Sequence, residues 1–160
     1  CKVLNCEYRD VTGECTDGIL TTAGATRLEI AGHRHDGAVG AGTNAAIAIV
    51  GGDRISIHDC DFDGNFAVGC IDVRTTATTD LEVYSCKART RNAADIFIVD
   101  TITASTGIIG PSLYLRLQDN AINITEACTG ATFVYHNDIS IVNLAGELGM
   151  LTNITASTDA

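Results

Sequence analysis

The sequence predicts an all-β chain folded as a right-handed, single-stranded parallel β-helix, a three-sided solenoid of about six rungs. Three observations predict it. Short segments with alternating apolar residues recur near every 26 residues along the chain. No stretch carries the 3.6-residue apolar period of an amphipathic helix. Glycine is frequent (16) and proline nearly absent (1), a composition suited to many tight corners between short strands.

The clearest copy of the unit is Asp53 to Val73, DRISIHDCDFDGNFAVGCIDV. An alternating strand (Ile55, Ile57) meets a short corner. A second segment (Cys60, Phe62) runs into an expected turn at Asp63-Gly64. A third (Ile71, Val73) closes the unit. The first strand recurs as TRLEI at Thr26–Ile30, DRISI at Asp53–Ile57 and TDLEV at Thr79–Val83, and more weakly at Thr106–Ile109 and Ala131–Val134. Another strand begins at Ile19, Ile47, Ile71, Ile96, Ile122 and Met150, in steps of 28, 24, 25, 26 and 28. One unit of three short strands cannot bury its own inward side chains. Stacked units can, and in-register parallel pairing then satisfies the backbone between them. The rungs fall near 1–25, 26–52, 53–78, 79–105, 106–130 and 131–160. Ile19, Ile47, Ile71, Ile96 and Ile122 are expected in one interior column, and Leu28, Ile55 and Leu81 in another. A leucine-rich repeat is the rival solenoid, but its signature is missing. Longer connections are expected at Asp36–Ala45, Arg89–Asp95 and Ile139–Gly149. Pro111 interrupts the fifth rung before Ser112–Leu117 resumes as a strand.

The 160 residues suffice for a single domain, 1–160. Aromatic residues make up 5% and Trp is absent, so the core is built from Ile, Val, Leu and Ala. The net charge of −10 repels nucleic-acid backbone and anionic lipid, so neither nucleic acid nor membrane is an expected partner. The longest apolar runs, such as Ala45–Val50, are too short to cross a bilayer. The chain starts inside the repeat with no amphipathic cap, so it is expected to be part of a longer protein.

Seven cysteines include no C-x-x-C pair and no zinc spacing. Cys6, His33, Cys60 and Cys86 occupy equivalent repeat positions, which reads as an inward column of reduced thiols. A Cys60–Cys86 disulfide between neighbouring rungs is the sharper alternative. Asp59, Asp61, Asp63 and Gly64 open like a calcium loop, but Cys70 stands where a bidentate Glu is required. They remain weak metal candidates, and no metal or other cofactor is assigned. His33, His35 and His58, with Asp36 and Asp59, could act as acid–base groups, though His33 and His35 fit inward packing better. Glu29, Asp80 and Glu82 could share an outer face with Arg27 and Arg54, read as a cross-rung ladder of alternating sign. No catalytic residue is assigned. Two N-x-T sequons, at Asn123 and Asn153, read as incidental.

The run from Ala45 through Thr103, with AAIAIVGGDRISI, DGNFAVGCIDVRTTATTDLEV and RTRNAADIFIVDTITAS, resembles the right-handed β-helix proteins of tailed-phage structural modules, which have a pectate lyase-like fold. The resemblance covers nearly the whole chain, including GELGMLTNITASTDA. It implies a virion component; the short chain without a clear carboxylate cluster departs from phage depolymerase spikes and points to a non-enzymatic one, and the reduced thiols point to assembly in the host bacterial cytoplasm. The expected role is a capsid decoration (cement) protein, homotrimeric and seated on the major capsid protein or another virion protein. A tail fibre or spike that binds or cleaves host polysaccharide is the alternative.

Overall fold

The computed structural model describes residues 1–9, 16–37, 43–90, 97–100, 102, 104–117, 132–135 and 139–143. The first turn comprises β1 (Lys2–Leu4), β2 (Glu7–Arg9) and β3 (Asp17–Leu20). The second comprises β4 (Ala25–Ala31), β5 (Arg34–Asp36) and β6 (Thr43–Ile49). The third comprises β7 (Gly52–His58), β8 (Asp61–Gly64) and β9 (Phe66–Val73), and the fourth β10 (Thr78–Tyr84), β11 (Lys87–Thr90) and β12 (Ile98–Asp100). Beyond these lie β13 (Thr106–Ile109), β14 (Leu113–Leu117), β15 (Thr132–Tyr135) and β16 (Ile139–Asn143). Every strand pairs in parallel with its counterpart one turn away. Three sheets result: face A (β1-β4-β7-β10-β13-β15), face B (β2-β5-β8-β11-β14-β16) and face C (β3-β6-β9-β12). The chain is a parallel β-solenoid, and no helix occurs among the described residues. Four turns show all three strands there, and faces A and B continue for two more strands.

The interior follows from alternation within each strand and repetition between turns. On face A, Leu28, Ile55 and Leu81 align in register, as do Ile30, Ile57, Val83 and Ile109. All seven are buried. On face B the aligned inward residues are Tyr8, His35, Phe62, Ala88 and Leu115. On face C, Ile47 and Ile71 stack as expected, but the fourth turn supplies Ile98 and not Ile96. The slip is two residues. Because side chains alternate with period 2, either isoleucine satisfies the apolar pattern, and only the pairing decides. Ile96 lies outside the described residues, as do Ile122, Met150 and both sequons.

One residue turns each corner from face A to face B. Asn5, Gly32, Asp59 and Ser85 hold it with φ of 52°, 65°, 54° and 51°. Asn, Gly and Asp are the residues that enter this left-handed region most readily, and Ser hydroxyls support turns similarly. Backbone hydrogen bonds continue across the corner, as from Asn5 N–H to the Ala31 carbonyl (2.8 Å) and from Lys87 N–H to the Cys60 carbonyl (2.8 Å). The next residue then points inward, which gives the predicted column of Cys6, His33, Cys60 and Cys86. Leu113 extends it.

The Asp63-Gly64 turn is corrected: both residues belong to β8. Gly64 does not have positive φ. A Cβ there would lie 2.9 Å from the Gly37 Cα. Glycine serves close approach of stacked backbones here, and Gly37 N–H donates to the Asp63 carbonyl at 2.7 Å. The expected connection at Ile139–Gly149 is likewise corrected, because Ile139–Asn143 is β16. The centres of the other two long connections lie outside the described residues.

Candidate functional site: the outer groove of face A

A regular defect shapes face A. The inward residues flanking it are Ala25 and Leu28, Gly52 and Ile55, and Thr78 and Leu81, aligned in register across three turns. Each pair is three residues apart where an unbroken strand would place two. The extra residue is Arg27, Arg54 or Asp80, with φ of 51°, 54° and 52°. The strands keep register through it, so this is a left-handed kink shared by successive turns, a bulge in each strand's course with no register shift between them. It turns a charged side chain outward at the same height on each turn. Asp80 N–H donates to Thr106 Oγ1 at 3.2 Å, so the bulge is tied to the next turn.

Beside the bulge runs the outward column Lys2, Glu29, Ser56, Glu82 and Ile108. Ser56 is short, and Gly107, aligned with Leu81, lies so close to it that a Cβ would strike the Leu81 carbonyl. A groove of about 440 Å³ opens there, lined by Arg54, Ser56, Asp80, Glu82, Gly107 and Ile108. A neighbouring depression shares Glu82 and Ile108 and adds Tyr84, Gly110 and Pro111. Two carboxylates, a guanidinium, a hydroxyl and a half-buried aromatic ring thus border one surface channel. Such groups can hydrogen-bond the hydroxyls of a polar chain and stack against its apolar faces.

Tyr84 is held by His58. Their rings stack with centroids 4.8 Å apart and planes 5° from parallel. His58 Nδ1 lies 2.8 Å from Asp59 Oδ2, and Nε2 lies 3.4 Å from Glu29 Oε1. Glu29 in turn meets Lys2 Nζ at 2.5 Å. The hydrogen bond from Lys2 holds the Glu29 carboxyl below its ordinary value. Burial alone would lower the His58 imidazole, but its hydrogen bond to Asp59 and the charges of Asp59 and Glu29 hold its pKa above the ordinary value. The sign follows from linkage: a raised folded-state pKa adds stability below the unfolded value of about 6.5, lost as pH rises through the folded pKa. His58→Gln is therefore expected to cost stability at pH 6 and much less at pH 8. Urea unfolding at the two pH values checks this, and an equal loss at both would refute it.

The sequence-derived candidates fare unevenly. The three aspartates do not converge. Asp59 sits in the corner and pairs with His58, exposed Asp61 is flanked in register by Arg34 and Lys87, and Asp63 lies 3.8 Å from Arg89 Nη1. No group of three or more His, Cys, Asp or Glu residues among the described ones could hold a metal ion. The histidines separate. His33 is buried with Nδ1 3.0 Å from the Cys6 carbonyl, and burial pushes its pKa down. His35 is buried between the rings of Tyr8 (4.8 Å) and Phe66 (5.2 Å). Gly18 faces it without a side chain, where a Cβ would strike the imidazole. Asp36 pairs with Arg9 at 3.5 Å. Of these three histidines, His58 alone faces outward, beside the groove.

The alternating-sign ladder is also corrected. Arg27, Arg54 and Asp80 occupy the bulge, and Arg54 Nε pairs with Asp53 of its own turn at 2.8 Å. Alternation is instead found on face B, where Glu7, Arg34, Asp61 and Lys87 align in register. The sequence reading missed the bulge, although the three-residue spacing of inward positions before each Leu or Ile signals it. It also missed Arg74, which reaches Asp17 (2.6 Å) and Asp72 (2.8 Å) on the outer side of face C.

Comparison with known proteins finds no matching family model, curated sequence or solved structure, so the functional reading rests on the chain itself.

Proposed function

We propose that this chain is a non-enzymatic structural component of a tailed-phage particle, a capsid decoration (cement) protein that assembles as a homotrimer on the major capsid protein. The observation that carries this reading is the corner between faces C and A. Its exposed residues include Thr22, Ala23, Gly24, Thr75, Thr76 and Ala104, all small. Small side chains allow close approach of a second subunit, and cyclic symmetry is the usual solution for a self-complementary surface. The phage-like sequence segments support the same reading. The test is sedimentation equilibrium of the purified chain, followed by its addition to capsid shells lacking it. A trimer mass and saturable binding to shells are expected. A monomer that does not bind shells would overturn the proposal.

A second reading is favoured by the groove of face A. In a tail fibre or spike, Arg54, Asp80, Glu82 and Tyr84 would contact a host polysaccharide. Binding of host polysaccharide lost in both Glu82→Gln and Tyr84→Ala would support this reading, and release of sugar fragments would extend it to an enzyme. No binding would leave the decoration role as the better account.

A further inference from the structure

Asp100 carries a carboxyl group inside the solenoid. It ends β12 and aligns in register with Val73 and, one turn further down, with Ile49. Those two are core residues, and Asp100 shares their burial at 0% exposure. The position has a local reason. Asp100 Oδ1 accepts the Ile102 N–H at 2.8 Å, an Asx-turn that starts the corner from face C to face A, and Ala104 turns the same corner with φ of 73°. The Ser105 hydroxyl hydrogen-bonds the same carboxyl, and Ser105 Oγ accepts the Thr78 N–H at 3.2 Å. Ser105 and Thr78 are themselves fully buried. Asp100 thus ties the end of β12, through this corner, to the start of β10. Its other oxygen, Oδ2, is buried and has no hydrogen-bond partner among the described residues, and neither has Thr78 Oγ1.

Few charges surround it. β9 brings Asp72, whose negative charge acts on Asp100, and Arg74 just past the end of β9 is engaged with Asp72 and with Asp17 of β3. Asp80 and Glu82 of β10 lie on its outer side, along the groove. β13 has no charged residue. An ionised carboxylate at this place loses its hydration with one oxygen unfilled and a second negative charge nearby, whereas the neutral acid loses far less. We propose that Asp100 is a pH-operated latch: its neutral carboxyl holds the corner between β12 and β13 closed, and its ionisation releases β12 from the stack. Burial pushes the Asp100 pKa up and the Asp72 charge adds to this, against the hydrogen bonds from Ser105 and Ile102. A carboxyl raised in the folded state contributes stability below the unfolded value of about 3.9, and that contribution is lost as pH rises to and through the folded value. Between those limits opening grows by about tenfold per pH unit, and above them it levels off. The opening is local, because β12 pairs with β9 and ends the described part of face C, while faces A and B continue. This inference is independent of the particle and glycan readings.

The experiment compares the whole chain, labelled with carbon-13, with Asp100→Asn, which keeps the shape and removes the ionisable proton. The side-chain carboxyl resonance missing from the variant is followed by NMR from pH 3 to pH 8. It is expected to titrate above the ordinary aspartate range. Amide hydrogen exchange, corrected for intrinsic rates, is read over the same range at Ile71, which donates to the Phe97 carbonyl, and at Thr78. Protection at both should fall by about tenfold or more with rising pH in the wild type, and much less in the variant. If the variant does not fold, the wild-type carboxyl titration decides. A carboxyl that ionises in the ordinary aspartate range, or protection that falls equally in both proteins, would overturn the proposal.

Discussion

Ile71→Ala is expected to destabilise the solenoid by about 2–5 kcal/mol. Ile71 is fully buried near the C-terminal end of β9, paired in register with Ile47 below and Ile98 above. Truncation removes the transfer energy of the lost carbons and leaves a void. That void cannot collapse cheaply, because the backbones on both sides are fixed by parallel hydrogen-bond ladders. Total stabilities of about 5–15 kcal/mol are usual, so the loss is a large fraction. In a solenoid the damage is also local: each turn contacts only its neighbours, and a weak turn lets the stack open there. Leu20→Ala is the control. Leu20 is 60% exposed on the outer side of β3, and its removal should change little. Equilibrium urea unfolding of the two variants checks the contrast. Equal midpoints would refute the burial of the Ile71 column.

The columns were legible in the sequence because two periods constrain them together. Leu28, Ile55 and Leu81 satisfy alternation along the strand and repetition near 26 residues, and no other register does both. The Cys6, His33, Cys60 and Cys86 column followed for the same reason. Where only one constraint acts, the reading slipped. Ile96 and Ile98 share parity, so alternation cannot separate them, and the variable connection before β12 blurs the repeat length. The Asp63-Gly64 pair shows another limit. The same dipeptide makes a turn or permits backbone contact, and only the stacked position of Gly37 decides. The groove was half legible. Arg54, Asp80 and Glu82 were placed on one outer face. The gap between them depends on short Ser56 standing beside Glu82 one turn away, which no linear pattern records. Arg74 and Asp17 are 57 residues apart, and their meeting depends on how the turns stack.

Arg74→Met is expected to cost about 2–3 kcal/mol at pH 7, somewhat below the loss for a fully buried pair because Arg74 itself is partly exposed. The guanidinium binds Asp17 through Nη2 at 2.6 Å and faces Asp72 through Nε at 2.8 Å. The carboxylate side chains are only 6% and 11% exposed. Met preserves much of the volume and removes the charge, leaving two shielded carboxylates facing each other. Burial already raises the Asp72 pKa, the Asp17 charge adds to this, and Arg74 opposes it. Without Arg74 the folded-state pKa of Asp72 rises further. A carboxyl raised above its unfolded value favours the fold at acid pH and loses that contribution as pH climbs through the folded pKa. The deficit of Arg74→Met should therefore be greatest near neutrality and shrink towards pH 4. Arg74→Lys keeps the charge but offers a single point of contact in place of the planar fork, so it should fall between wild type and Arg74→Met. Urea unfolding of all three proteins at pH 7 and pH 4 measures both effects. A deficit that does not change with pH would locate the role of Arg74 in packing and not in neutralising Asp17 and Asp72.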